Sequence, residues 1–279
     1  MYDKNIMMMN IISGVTSSPL GDGGKRFFLQ KITAVVLMLF SVSLAAQSQE
    51  TNACKQATDM LRKLREAYTR MDNLSFDVKY RYTSLNDSST ILDSMEGQMM
   101  LKKQNYRSII GNTETIGTDK YTIMLFKQDS VMYLAKPSMR NAFAAGPSID
   151  IDTLLSSIKN VECSIHDEDG HTKLSFDFPP GGNYQSVSFI IDIKAMRLLQ
   201  VSYILKTILL MDIDEHGINS SDPQPEEYSR LNIDFVNYST KELSNDLFDD
   251  KKFFYRENKQ FKTTDAYSNY RIVLGTANL

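Results

Sequence analysis

The segment from Met95 to Pro137 constrains the fold most, because apolar and polar residues alternate along it with only short interruptions. Gly97, Met99 and Leu101 would share one face of its first strand. A period of two is typical of a half-buried antiparallel strand, and Asn, Gly, Asp and Ser residues separate the runs where turns would fall. The segment therefore predicts a meander of four or five strands, which has to curl or be covered so that its edges are protected.

A long amphipathic helix is predicted upstream of this meander, over residues 53–71. Its apolar residues recur at intervals of three and four, as in Ala57, Leu61, Leu64 and Tyr68, while lysine, arginine and glutamate fill the other side. A helix with a single apolar stripe has to pack on another apolar surface. We expect that surface to be one face of the sheet.

The rest of the chain predicts further strands and a short helix. Alternating patterns place strands at residues 76–82, 161–166, 173–178, 186–193, 199–213 and 231–235. Asp150–Ile158 has the apolar spacing of a short helix, and the section after Asn245 predicts a turn with one or two edge strands. No linker divides residues 49–279, so we expect a single mainly β (α+β) domain with about ten to eleven strands that curl around a cavity.

Residues 1–48 predict an N-terminal extension and a cleaved signal peptide. Lys25, Arg26 and Lys31 precede an apolar run from Ile32 to Ala46, and small residues follow it. That run is shorter than the roughly 20 residues that span a membrane as a helix. We therefore expect export to the periplasm. Cys54 lies several residues beyond the apolar run, so lipid attachment at Cys54 is not expected.

Export also permits a disulfide between Cys54 and Cys163, the two cysteines of the chain. One falls at the start of the predicted helix and the other inside a predicted strand. Nothing in the pattern brings them together. Two isolated thiols are therefore the simpler interpretation, and pairing stays open.

The sequence does not predict an enzyme. It contains no glycine-rich phosphate loop, nucleophile elbow or paired-histidine zinc helix. His166 and His171 flank three acidic residues, but acidic residues and glycine are typical of the hairpin turn expected there. We therefore expect no catalytic residues, no metal and no cofactor. A formal net charge of −3 without a concentrated basic face also argues against nucleic acid as a partner.

The apolar strand faces have two interpretations. Methionine and aromatic residues are frequent on them, and such side chains either fill a packed core or line a cavity for varied apolar ligands. Core packing is the simpler interpretation for each position alone. A curled sheet covered by few helices often leaves a lined cavity, however, so both interpretations stay open.

The order of the elements resembles the LolA/LolB superfamily of periplasmic lipoprotein carriers. The family's strand with an early glycine and a basic, aromatic end is similar to Gly97–Arg107, and its hairpin before an aromatic strand is similar to Gln128–Tyr133. Asp150–Ile158 resembles its helical excursion, and Val187–Ile204 resembles a later pair of strands. The resemblance covers residues 53–255.

The chain also departs from that family. Gln104 stands where the family has proline, Ser130 stands where it has glycine, and the chain has no tryptophan. Lys103 falls on a basic position that helps to handle the cargo in the carriers, although lysine lacks the planar fork of arginine.

The resemblance implies a half-open, strongly curved antiparallel β-barrel in which a short helical lid covers an apolar cavity. A monomer would bind acyl chains of lipoproteins or other lipids there and act in outer-membrane lipoprotein transport, with membrane-bound donor or acceptor proteins as possible partners. The Ala142–Gly146 loop would lie at the mouth. The residues expected to line the cavity and lid are Tyr80, Tyr82, Met99, Leu101, Phe189, Ile191, Tyr203, Leu205, Leu154 and Leu155.

Two alternatives of other classes stay open. The same fold serves as a sensor domain in envelope-stress regulators, where it binds a protein partner. The chain could also be a structural or interaction protein of the cell envelope with a packed, ligand-free core. An interior filled by the protein's own side chains would favour that last alternative.

Overall fold

The computed structural model describes residues 52–137, 160–210, 227–275 and 279. In this part of the chain, one long helix, α1 (Asn52–Thr69), precedes the strands. It matches the predicted amphipathic helix, and Ala57, Leu64 and Tyr68 of its apolar stripe are buried. The stripe therefore packs on the sheet, as its periodicity predicts.

Fourteen strands follow α1 within the described residues. They are β1 (Asn73–Ser84), β2 (Ile91–Lys102), β3 (Asn105–Ile110), β4 (Thr113–Gly117), β5 (Thr122–Phe126), β6 (Val131–Ala135), β7 (Glu162–Glu168), β8 (His171–Asp177), β9 (Tyr184–Asp192), β10 (Arg197–Lys206), β11 (Tyr228–Ser239), β12 (Phe254–Glu257), β13 (Gln260–Thr263) and β14 (Arg271–Leu274). Short 3-10 turns lie at Thr207–Leu209, Asn245–Phe248, Asp250–Lys252 and Asp265–Tyr267. The predicted meander is confirmed as β2–β6. The strand predicted over 199–213 is wrong after Lys206, where β10 stops and the Thr207–Leu209 turn follows. Residues 211–213 of that prediction lie outside the described residues.

Twelve of these strands form one sheet in the order β14-β6-β5-β4-β3-β2-β1-β11-β10-β9-β8-β7. Neighbouring strands are antiparallel except β14, which runs parallel to β6. Strands β12 and β13 form a separate hairpin. The predicted mainly β fold is therefore confirmed, whereas the predicted number of strands, ten or eleven, is lower than the number observed. A barrel is not confirmed either, because β14 and β7 are separate edges of an open sheet, and a barrel requires its two edges to pair.

The β7–β8 hairpin shows how the local sequence sets the strand register. Asp169 and Gly170 occupy its two-residue turn with φ angles of 51° and 78°. Two positive φ angles define the turn type whose twist matches antiparallel strands, and Asp-Gly is a preferred sequence for it. The hairpin predicted at Asp167–Gly170 is thus confirmed, but its turn is shorter, because Asp167 and Glu168 belong to β7 and Glu168 pairs with His171.

Two hydrophobic clusters pack against opposite faces of the sheet. We call the face that contacts α1 the inner face. Directly paired residues share a face of the sheet. The inner face can therefore be followed from β2 to β5 through the pairs Met99–Ser108, Ser108–Thr115 and Thr115–Met124. Leu125 lies next to Met124 on β5 and therefore points to the other, outer face.

The first cluster joins α1 to the inner face of β1, β2 and β8–β11. The second cluster packs the C-terminal section on the outer face of β4–β6, through residues Ile116, Ile123, Leu125, Met132, Leu134, Phe253 and Phe254. Aromatic rings fill it, with Tyr121 and Phe254 at 5.1 Å and Phe253 and Tyr267 at 5.3 Å between centroids. The C-terminal section thus covers one side of the sheet rather than only extending its edge.

A buried charge lies beneath this C-terminal cover. Glu114 on β4 is 4% exposed. Its carboxylate lies 2.6 Å from Arg107 Nη2 and 3.1 Å from Lys127 Nζ. The nearby negative charge of Glu114 adds to burial in raising the pKa of Tyr267. Two cations therefore compensate one carboxylate that water does not reach.

A disulfide joins the first turn of α1 to the edge strand β7. Cys54 and Cys163 form it, with Cα atoms 5.0 Å apart. The interpretation of two isolated thiols is therefore wrong. The two cysteines are 109 residues apart in the sequence, and they meet because α1 crosses the inner face toward β7. A sulfur in a disulfide has no valence left for a lipid thioether, which agrees with the expectation for Cys54.

Candidate functional site

The inner face brings together the eight predicted cavity residues that lie in the described part of the chain. They are Tyr80, Tyr82, Met99, Leu101, Phe189, Ile191, Tyr203 and Leu205, on β1, β2, β9 and β10. The register places them on one face, since Tyr80 pairs with Ile233, Ile233 with Val201 and Val201 with Phe189. The alternation in the sequence was therefore a sufficient signal for their common face.

These side chains are mostly buried. Tyr82 is half-buried, and the other seven are 0–6% exposed. Phe189 stands edge-on to Phe176 at 5.9 Å, and Tyr203 lies 6.5 Å from Tyr184 between ring centroids. The seven buried residues belong to the hydrophobic cluster beneath α1, whereas Tyr82 does not. Their role as a ligand lining stays a prediction.

The predicted basic residue Lys103 is not brought to this place. Lys103 is exposed in the turn between β2 and β3, with a φ of 54°. It lies beyond Leu101, at the end of β2 that is distant from the pair formed by Tyr80 and Met95. Leu154 and Leu155 lie outside the described residues. So do the predicted 1–48 signal segment, the Ala142–Gly146 loop and the Asp150–Ile158 helix.

One tyrosine pair at the end of α1 has its hydroxyls satisfied by the chain. The hydroxyl oxygens of Tyr68 and Tyr238 are 2.8 Å apart. Leu198 N–H donates to Tyr68 Oη at 2.8 Å, and Tyr238 Oη donates to Leu198 O at 2.6 Å. Burial raises the pKa of both hydroxyls. The two tyrosines and the Leu198 backbone thus form a hydrogen-bond network that fixes α1 against β10 and β11.

Tyr80 takes part in no such hydrogen-bond network among the described residues. It is 1% exposed, and its hydroxyl oxygen has no hydrogen-bond partner in the described part of the chain. Burial raises its pKa. The pKa of Tyr203 is also raised well above its usual range, by burial first and then by the neighbouring Tyr184 and Tyr80. An unpaired buried hydroxyl costs about 1–3 kcal/mol, and the hydroxyls of Thr83 and Thr113 are unpaired among the described residues in the same way.

A second apolar area of the inner face was missed by the sequence-based site. Met124 and Phe126 on β5 pair with Tyr133 and Val131 on β6. All four side chains are half-buried and belong to neither hydrophobic cluster. The signal was present, because the strand sequences TIMLF and VMYLA are apolar on both faces. A strand of that kind is expected to be covered on both sides, and among the described residues the C-terminal section covers the outer side.

The outer face of β7–β11 differs sharply from the inner one. Ser164, Ser175, Ser188 and Ser202 are successive cross-strand neighbours on it. They line an open groove of about 480 Å³ together with charged and amide side chains. Polar residues of this kind are typical of a solvated sheet face. The inner face is therefore the apolar surface of this half of the sheet.

Two kinds of functional feature are absent from the described residues. No group of three His, Cys, Asp or Glu side chains there is close enough to hold a metal ion. No helix in that part of the chain has the length and hydropathy of a membrane span.

No protein-family model matches the chain, and no curated protein sequence matches it. Several solved structures are similar in fold. An uncharacterized conserved protein from Thermus thermophilus is 11% identical, with 78% of this chain and 99% of that chain covered and a TM-score of 0.41. A putative outer membrane lipoprotein-sorting protein domain from Vibrio parahaemolyticus is 8% identical, with 71% and 97% covered and a TM-score of 0.32. Lipoprotein LppX from Mycobacterium tuberculosis is 12% identical, with 68% and 98% covered and a TM-score of 0.34.

Proposed function

We propose that this protein binds acyl chains of lipoproteins, or of other lipids, on the inner face of its sheet. The observation that carries this proposal is the half-buried group Met124, Phe126, Val131 and Tyr133, which belongs to neither hydrophobic cluster of the described residues. Methionine and aromatic side chains adapt to flexible apolar ligands.

The energetics favour such a ligand. Each methylene removed from water contributes about 0.8 kcal/mol. A chain that buries roughly ten methylenes therefore gains about 8 kcal/mol before the costs of association are subtracted. No covalent chemistry is needed for this role, and we propose that the protein is not an enzyme.

The proposed setting is the periplasm, with outer-membrane lipoprotein transport as the process. The basic and apolar pattern of residues 1–48 supports export. The Cys54–Cys163 disulfide also supports it, because disulfides persist in oxidising compartments. A monomer that receives its cargo from one membrane-bound protein and passes it to another is the simplest arrangement.

Native mass spectrometry with lipid extraction tests this function on protein purified from the envelope of its own host. We expect co-purifying acylated peptide or phospholipid in the wild type and its loss in Met124→Glu. Ile190→Glu is the matched control, since Ile190 is also half-buried but lies on the outer face. An empty wild-type protein that also fails to take up a fluorescent fatty acid would refute the proposal.

A structural or interaction module is the second candidate. It is favoured by the close packing of the seven buried residues beneath α1, which leaves them 0–6% exposed. This candidate predicts that the purified protein carries no lipid, and that Met124→Glu disturbs binding of a protein partner instead.

A further inference from the structure

The sheet has a step between β2 and β3. Strand β2 has 12 residues whereas β3 has 6, and the pairing between them starts at Gly97 opposite Ile110. The Glu96 carbonyl still accepts from Gly111 N–H at 3.3 Å, in the turn after β3. Residues 91–95 of β2 therefore extend past β3 by about 17 Å of strand, and no described strand pairs with them on that side.

The opposite side of this segment is held by the sheet. Strand β1 pairs with it, and β1 is itself paired to β11 as far as Ser84 opposite Ser229. The first four residues of β2 are nevertheless exposed. The free edge is thus fixed in an extended conformation before any partner arrives, which lowers the entropy cost of adding another strand.

The backbone of Ser94 points to the free side. In an antiparallel strand the N–H and C=O groups of one residue point to the same neighbour, and those of the next residue point the other way. Because the Glu96 carbonyl points toward β3, Ser94 faces that side as well. Its N–H donates to the carboxylate of the adjacent Asp93 at 2.8 Å, where a neighbouring strand would otherwise accept it.

Exposed aliphatic side chains accompany this edge. Ile91 and Leu92 are 54% and 51% exposed, and they are the one adjacent pair among the exposed large apolar residues of the described chain. The register shifts at Leu92, since Tyr82 pairs with Asp93 and Thr83 pairs with Ile91. A bulge of this kind re-aims the side chain of the extra residue. The edge therefore presents apolar side chains together with backbone groups.

The two outer edges of the sheet are protected in the usual ways. Strand β14 has 4 residues, and β7 carries three acidic residues, Glu162, Asp167 and Glu168. Short strands and charged side chains discourage the addition of another strand. A free edge with adjacent aliphatic residues is the opposite arrangement, and it is typical of a site that receives an extended peptide.

We propose that an extended segment of a partner protein adds to the sheet as a strand beside residues 91–95 of β2. Its backbone bonds to Ser94, an apolar side chain of the segment covers Leu92, and a lysine or arginine lies next to the negative charge of Asp93. A second copy of this chain fits less well, because self-pairing brings two Asp93 and two Glu96 side chains to one edge, and like charges destabilise paired strands.

The probe for this site is a fluorescein-labelled peptide of alternating valine and lysine, and fluorescence anisotropy measures its binding to the purified protein. We expect wild type to bind this peptide. The same peptide with methylated backbone amides keeps its charges and side chains but cannot donate hydrogen bonds, so it should not bind. Equal binding of the two peptides would rule out strand addition. An unchanged anisotropy at about 1 mM protein, where even a weak complex forms, would overturn the proposal.

Ser94→Pro tests the position of the added strand. Proline removes the N–H on the free side and keeps the hydrogen bonds to β1, which is why edge strands tolerate it. It should weaken the peptide at least about tenfold, since a hydrogen bond is lost. Ser94→Ala is the matched control, because it keeps the N–H, and its affinity should stay within about twofold of wild type. If both variants bind equally well, the peptide lies elsewhere.

Sedimentation velocity distinguishes a partner segment from a second copy. A monomeric wild type that binds the peptide supports the proposal. A wild-type dimer that Ser94→Pro converts to a monomer would show that the edge pairs with itself, and the proposed partner would then be wrong. The peptide carries no acyl chain, so these results stand apart from the proposed binding of lipids.

Discussion

Removal of the disulfide between Cys54 and Cys163 tests how α1 is held on the sheet. We consider the double variant Cys54→Ala/Cys163→Ala. The bond closes a loop with a sequence separation of 109, and the loop-entropy relation for that length gives about 4.7 kcal/mol at 25 °C. Measured values often fall below this figure, so we expect a loss of about 3–4 kcal/mol in the free energy of unfolding.

Urea denaturation followed by circular dichroism measures this loss. With a slope of about 2 kcal/mol per molar, the midpoint should fall by about 1.5–2 M urea. Wild type treated with dithiothreitol should shift by the same amount, whereas the double variant should be insensitive to the reductant. That insensitivity is the control for general effects of reduction.

Hydrogen exchange should locate the effect. Strand β7 is an edge strand with largely exposed residues, so α1 and β7 should lose protection before β1 in the sheet centre. Unchanged midpoints, or two free thiols titrating in the unreduced unfolded protein, would contradict the covalent link.

Two further predictions concern charged groups. Glu114→Ala should lower the free energy of unfolding in urea by about 3 kcal/mol, because it leaves the partly buried Arg107 without its carboxylate partner. Glu96→Ala, which removes an exposed ion pair, should lower it by less than about 1 kcal/mol. Equal losses in the two variants would refute burial as the cause. The side-chain hydroxyl of Ser89, first among several hydrogen bonds, lowers the pKa of Asp87 to about 2. Since that value lies below the unfolded one, the stabilisation by Asp87 is present above about pH 4 and is lost as the pH falls toward 2. An NMR titration of the Asp87 carboxyl checks this, and a midpoint near 4 would contradict it.

The elements of this fold could be predicted from the sequence because their signals are local. The apolar spacing of Ala57, Leu64 and Tyr68 is a property of one helix, and it predicted both α1 and its buried side. Alternation in β1 and β2 likewise predicted which residues share a face. The Asp169-Gly170 turn follows from the φ angles that these two residues tolerate.

The candidate site could be predicted only in part. The common face of Tyr80, Phe189 and Tyr203 follows from alternation, but their degree of burial depends on α1 lying over them. The half-buried pair Met124 and Phe126, which belongs to neither cluster of the described residues, was not recognised, because an apolar strand looks the same whether its second face meets protein or a ligand. The missing partner of Tyr80 depends on every residue around it and leaves no mark in the sequence.

By itself the sequence determined the type of each element and the side of it that is apolar, since both depend on residues within a few positions of one another. The tertiary structure decided the contacts between distant segments. It joined Cys54 to Cys163, placed the C-terminal section on the outer face of β4–β6, set β14 parallel to β6, and left the sheet open. Each of these contacts requires the chain to close a long loop, which costs entropy. The energy that offsets this cost comes from the surface that the segment contacts. No local sequence pattern encodes the energy of such a contact, so these contacts depend on the packing of the whole molecule.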